Sequence, residues 1–123
     1  MQVVKERIKT VRDKEGRRET CEEQLRRMCK NIAQEITDGL KIDDTSGTGT
    51  VTEWMEGVYD IRYIVDREKH YLSAELLVAG GGPTIWVDLW DKEVKGYWGG
   101  DRVTVGFADN LGLDDYCEEM YGS

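Results

Sequence analysis

The chain has one proline, one histidine and one phenylalanine in 123 residues. With His70 as its single imidazole, the sequence holds no His-based metal cluster. Cys21, Cys29 and Cys117 are odd in number and lack metal-ligand spacing, so reduced thiols are expected. No apolar run approaches the roughly 18 residues of a membrane span. Met1 to Glu6 has no signal-peptide core, and no internal repeat or low-complexity tract is present. These absences argue against a membrane protein, a disulfide scaffold and a solenoid. The expectation is a cytoplasmic domain without metal or cofactor.

What is abundant is charge of one sign. Lys and Arg number 17 against 25 Asp and Glu, a net charge of −8. The distribution is uneven. Residues 1–30 carry +4 and residues 31–123 carry −12. The stretch from Asp109 to Tyr121 holds Asp109, Asp114, Asp115, Glu118 and Glu119 with no basic residue. Such a surface repels nucleic acid and attracts basic protein surfaces, more strongly at low salt.

At this length a single domain is expected over 1–123. Its parts read as a helical segment 1–40, a connector 41–53, an antiparallel sheet 54–108 and an acidic helix 109–121. Within the first, Val4, Ile8 and Val11 keep helical spacing over 2–14, with Lys5, Arg7, Lys9 and Arg12 around them. Thr20-Cys21-Glu22-Glu23 matches a capping box. Cys21, Leu25, Met28, Cys29, Ile32 and Ile36 keep helical spacing and predict a helix to Thr37, with Gly39 as its stop.

Strand signals follow. Tyr59, Ile61, Tyr63 and Val65 alternate with Val58, Asp60, Arg62 and Ile64, and Asp66–Lys69 makes a charged turn. Leu72, Ala74, Leu76 and Val78 share one face of the next run, and Ile85, Val87 and Leu89 share that of the third. Trp86 and Trp90 fall on the opposite side. Val94 and Tyr97 belong to a fourth strand, and Val103, Val105 and Phe107 to a short edge strand. Asn110 or Asp109 caps a last helix carrying Leu113, Tyr116, Cys117 and Met120. The fold class is α+β: a four- to five-stranded antiparallel sheet packed against a long N-terminal helix and a C-terminal helix.

Several constellations bear on chemistry. Gly80-Gly81-Gly82-Pro83 lacks the Lys-Ser/Thr of a P-loop and leads into a strand, so it reads as a tight loop. A Cys–His pair of His70 with Cys117 or Cys29 is set against thiols on apolar helix faces, where buried cysteines are inert. Asp88 and Asp91 near Asp101 would suit acid–base or Mg²⁺ work, yet acids of this kind are common in turns. Trp86, Trp90, Tyr97 and Trp98 crowd 13 residues. The half that faces away from the core is either covered by a helix or is an exposed binding patch. Both outcomes stay open.

Gly-Gly-Pro-Thr-Ile-Trp-Val-Asp (81–88), Val-Lys-Gly-Tyr-Trp-Gly (94–99) and Leu-Asp-Asp-Tyr-Cys-Glu-Glu-Met-Tyr (113–121) together resemble a group of small acidic proteins. These are encoded on phages and mobile elements of gut Firmicutes, and proteins of this size, charge and setting include anti-CRISPR inhibitors. The resemblance spans about residues 54–121. It implies a non-enzymatic inhibitor in the bacterial host cytoplasm, with a CRISPR effector nuclease or its ribonucleoprotein as partner. Asp101, Asp109, Asp114, Asp115, Glu118 and Glu119, with Trp98 beside them, would then meet the Arg/Lys groove that reads the PAM or holds the target duplex. Direct nucleic-acid binding is expected only through basic residues 5–30, among them Lys5, Arg7, Lys9, Arg12, Arg17 and Arg18. Two alternatives belong to other classes: a small ligand-binding domain or enzyme using Gly80–Pro83 with Asp88 and Trp86, and a homodimeric interaction module.

Overall fold

The computed structural model describes residues 20–39 and 51–122. The expected helix over 2–14, its basic residues and most of the 41–53 connector lie outside them. Helix α1 spans Cys21–Asp38 and the short α2 spans Val51–Met55. Five strands follow: β1 Asp60–Val65, β2 Tyr71–Ala79, β3 Thr84–Asp88, β4 Glu93–Trp98 and β5 Asp101–Gly106. Helix α3, Leu113–Gly122, completes the α+β architecture. The strands form one antiparallel meander in the order β1-β2-β3-β4-β5.

Local chemistry sets the ends of α1. The Thr20 hydroxyl accepts from the Glu23 amide at 3.1 Å and lies 3.1 Å from the Glu23 carboxylate, to which it donates. The expected capping box is therefore present with one substitution: Glu23 takes the Thr20 hydroxyl. At the other end Gly39 adopts φ +69°, a region that costs glycine little, and its amide donates to the Ile36 carbonyl.

Between these caps, Leu25, Met28, Cys29, Ile32 and Ile36 are fully buried on β4 and β5. At roughly 1.5–3 kcal/mol for each large apolar side chain, this stripe outweighs the cap and decides where the helix lies. The approach is close because β4 carries Gly96 beneath it. A Cβ there would sit 2.6 Å from Cys29 Sγ and 2.8 Å from Leu25 Cδ1.

Directly opposed residues of antiparallel strands share a face. The registers Ile61↔Leu76, Leu76↔Val87 and Val87↔Val94, continued by Val94↔Val105, put the apolar set on the helix side. The core there is closed by Ala74, Val78, Ile85, Leu89 and Val103, with Leu113 and Cys117 from α3.

Some expected positions differ: Cys21 of the helix stripe is exposed, and Tyr59, which precedes β1, and Val65 at its end are exposed as well. Leu72 is 44% exposed, although alternation placed it with Ala74, Leu76 and Val78. The pairing jumps from Ile64↔Ser73 to Val65↔Tyr71, so Leu72 is an extra residue opposite nothing. A bulge of this kind reverses the alternation beyond it. Tyr71 consequently turns toward α3.

Candidate functional site

Helix α3 is held by two of its own acids. The Asp109 carboxylate accepts from the amides of Gly112 at 3.1 Å, Leu113 at 2.8 Å and Asp114 at 3.0 Å. It is the cap, while Asn110 instead donates its side-chain amide to the Thr37 carbonyl at 2.6 Å. Asp114 accepts a 2.7 Å hydrogen bond from the Tyr71 hydroxyl. Burial, then the Asp114 carboxylate, pushes the Tyr71 pKa far up, so the phenol stays a donor.

Beneath the helix the Cys117 thiol is raised to about 12 by burial and by Asp114 and Asp109. Tyr121 donates to the Lys69 carbonyl at 2.7 Å and packs against Tyr63 with the ring centroids 5.0 Å apart and the planes tilted by 58°, pinning the far end. What remains on the outer side of α3 is Asp115, Glu118 and Glu119, all exposed. No basic residue occupies its last turn. Glu119 also borders an open hollow of about 460 Å³ with Tyr116, Met120, Val51 and Thr52.

Asp109, Asp114, Asp115, Glu118 and Glu119 are thus gathered on one element and its cap. Asp101 and Trp98 are not with them. They face each other across the β4–β5 turn, at the end of the sheet away from the Tyr71 end that receives α3. Trp98 is half-buried against the core.

The other sheet face carries a second set. The registers Arg62↔Glu75↔Asp88↔Glu93 and Leu77↔Trp86↔Lys95↔Thr104 define two rows across it, with Tyr97↔Arg102 above them. No described helix packs there, since α1 lies on β4 and β5, and α3 on β2, from the core side. Of the two outcomes open for the aromatic set, the described residues match the uncovered one. Trp86 lies on this face under the Arg62 guanidinium at 4.4 Å, Arg102 sits 5.6 Å over Tyr97, and Trp90 in the following turn is 57% exposed.

Asp88, only 6% exposed, is the anchor of that turn. It accepts from the amides of Trp90 and Asp91 and from Lys95 Nζ at 2.8 Å, and Lys95 also meets Asp91 at 3.2 Å. Burial pushes the Asp88 carboxyl up, yet Lys95 and the two amides outweigh it and leave the pKa below the usual range. The pair is a turn lock. Asp101 is far from it, across the length of β4.

The remaining candidates are similarly occupied. His70 is exposed and lies 3.1 Å from Asp66, whose carboxylate also takes the Glu68 and His70 amides. Cys29 is buried with its thiol raised to about 12 by desolvation, which favours the non-nucleophilic form. Gly80–Pro83 joins β2 to β3 with its glycines exposed. Among the described residues, no group of three or more His, Cys, Asp or Glu is placed to hold a metal ion, and no helix is long and apolar enough to cross a membrane.

The role of Asp109 was half-visible in sequence as one of two possible caps. The tie between Tyr71 and Asp114, 43 residues apart, left no local signal. No family model, curated protein or solved structure matches this chain.

Proposed function

We propose that the chain is a binding inhibitor of an RNA-guided nuclease, acting without chemistry of its own. The exposed carboxylates of α3 occupy the arginine-rich groove that otherwise takes the PAM duplex or the target strand. One observation carries this reading. Asp109 and Asp114 are spent on fixing α3, while Asp115, Glu118 and Glu119 are exposed along it, with no basic residue in its last turn.

Acids near the C-terminal end of a helix oppose its dipole. Glu118 therefore gains nothing from the helix dipole there, which suits a residue held for a partner. A guanidinium fork pairs with carboxylates as it does with phosphates, so a groove built for a polyanion accepts this helix. The choice of an RNA-guided nuclease rests on the resemblance of the 81–88, 94–99 and 113–121 segments.

The test is inhibition of target cleavage by a panel of CRISPR effector ribonucleoproteins. Asp115→Lys/Glu118→Lys/Glu119→Lys loses inhibition against the susceptible effector and keeps the wild-type circular dichroism. Full inhibition by the folded triple variant would discard the mechanism. Asp114 is left intact, because replacing it would also release Tyr71.

A further inference from the structure

We propose that the face of the sheet on which no described helix packs is a second docking surface, for an arginine-bearing segment of another protein. The argument starts from its aromatic side chains. Trp90 and Tyr97 are exposed to water, and none of the described elements covers them or Trp86. The face already displays its preferred chemistry. Its own Arg62 and Arg102 already lie over Trp86 and Tyr97, so guanidinium-on-ring contact is the chemistry this face itself uses. Trp90 has no such cation among the described residues.

The carboxylates point the same way. Glu75, Asp88 and Glu93 are directly opposed on three adjacent strands, an arrangement that like charges disfavour. Of these three, Lys95 pairs with Asp88 alone, and it divides its charge with Asp91 in the following turn. Glu75 and Glu93 have no ion-pair partner among the described residues, and both are half-buried, where a paired charge is screened less than on open surface. A ring beside an unpaired carboxylate suits arginine better than lysine, since the planar guanidinium stacks and bonds in a fork. The same carboxylates repel phosphate, which sets nucleic acid aside as occupant. This surface is independent of α3 and of the nuclease reading.

The experiment titrates the full-length protein with an octa-arginine peptide, an octa-lysine peptide and a single-stranded RNA oligonucleotide. Indole N–H resonances of Trp86 and Trp90 report the site, and light scattering reports self-association. Octa-arginine should shift both indoles and bind more tightly than octa-lysine. Glu75→Gln/Glu93→Gln should weaken that binding by at least about tenfold, Trp90→Ala should weaken it independently, and Asp115→Lys/Glu118→Lys should leave the indole shifts in place. Shifts confined to α3, unchanged affinity in both sheet variants, tighter binding of RNA, or a dimer with its tryptophans already covered would each overturn the proposal.

Discussion

Asp109 illustrates how one residue can look like surface charge in sequence and act as structure in the fold. Its carboxylate accepts three successive backbone amides at the start of α3. Asp109→Ala should therefore cost about 1–2 kcal/mol in urea denaturation, the usual range for losing an N-terminal cap. Unchanged stability would return Asp109 to the exposed surface charges.

The two buried thiols make a pH prediction at the same scale. Burial raises Cys29 and Cys117 from 9.0 to about 12 in the folded protein. Between those values the unfolded chain has lost protons that the folded chain retains, so stability falls as pH rises through this window. Under reducing conditions the urea midpoint should decline from about pH 9 upward. Cys29→Ala/Cys117→Ala should show a shallower decline, and an identical slope would contradict the assignment.

At the level of elements, the seat of α1 on β4 depends on a missing side chain. Alanine at Gly96 would press on Cys29 Sγ and Leu25 Cδ1. Gly96→Ala should cost about 1–3 kcal/mol as overpacking. Combined with Cys29→Ala, the two changes should cost less than their sum, because they share one contact. Strict additivity in thermal unfolding would show that the helix shifts freely over the strand.

Elements were also what the sequence made most legible. The Thr20 cap, the Leu25–Ile36 stripe and most of the alternating runs obey a local rule, and so does Trp86 on the side away from the core, while Trp90 falls in the turn after β3. Leu72 broke the rule because a bulge is decided by pairing with β1, which alternation within one strand does not encode. Trp98 and Asp101 were grouped with α3 on nearness in sequence and charge. Strand register carries them to the other end of the sheet.

For the molecule as a whole, charge separation is the organising feature. Residues 31–123 carry −12 in a chain of net −8. Part of that excess sits on α3, outside the core and on the helix side of the sheet, while the aromatic face with its arginines lies behind it. A long-range attraction of this sign speeds encounter with a basic groove and weakens as salt is added. The inhibitor reading thus places its contact on a rigid helix tied down at both ends, by Asp109 and by Tyr121.

Competition for target DNA tests that reading most directly. A susceptible effector ribonucleoprotein is bound to labelled PAM-containing duplex, and the folded wild-type protein or its Asp115→Lys/Glu118→Lys/Glu119→Lys variant is titrated in. Wild type should displace the duplex with an efficiency that falls as salt rises, and the variant should leave it bound. Duplex that stays bound in the presence of saturating wild-type protein, across the effectors tried, would contradict the account.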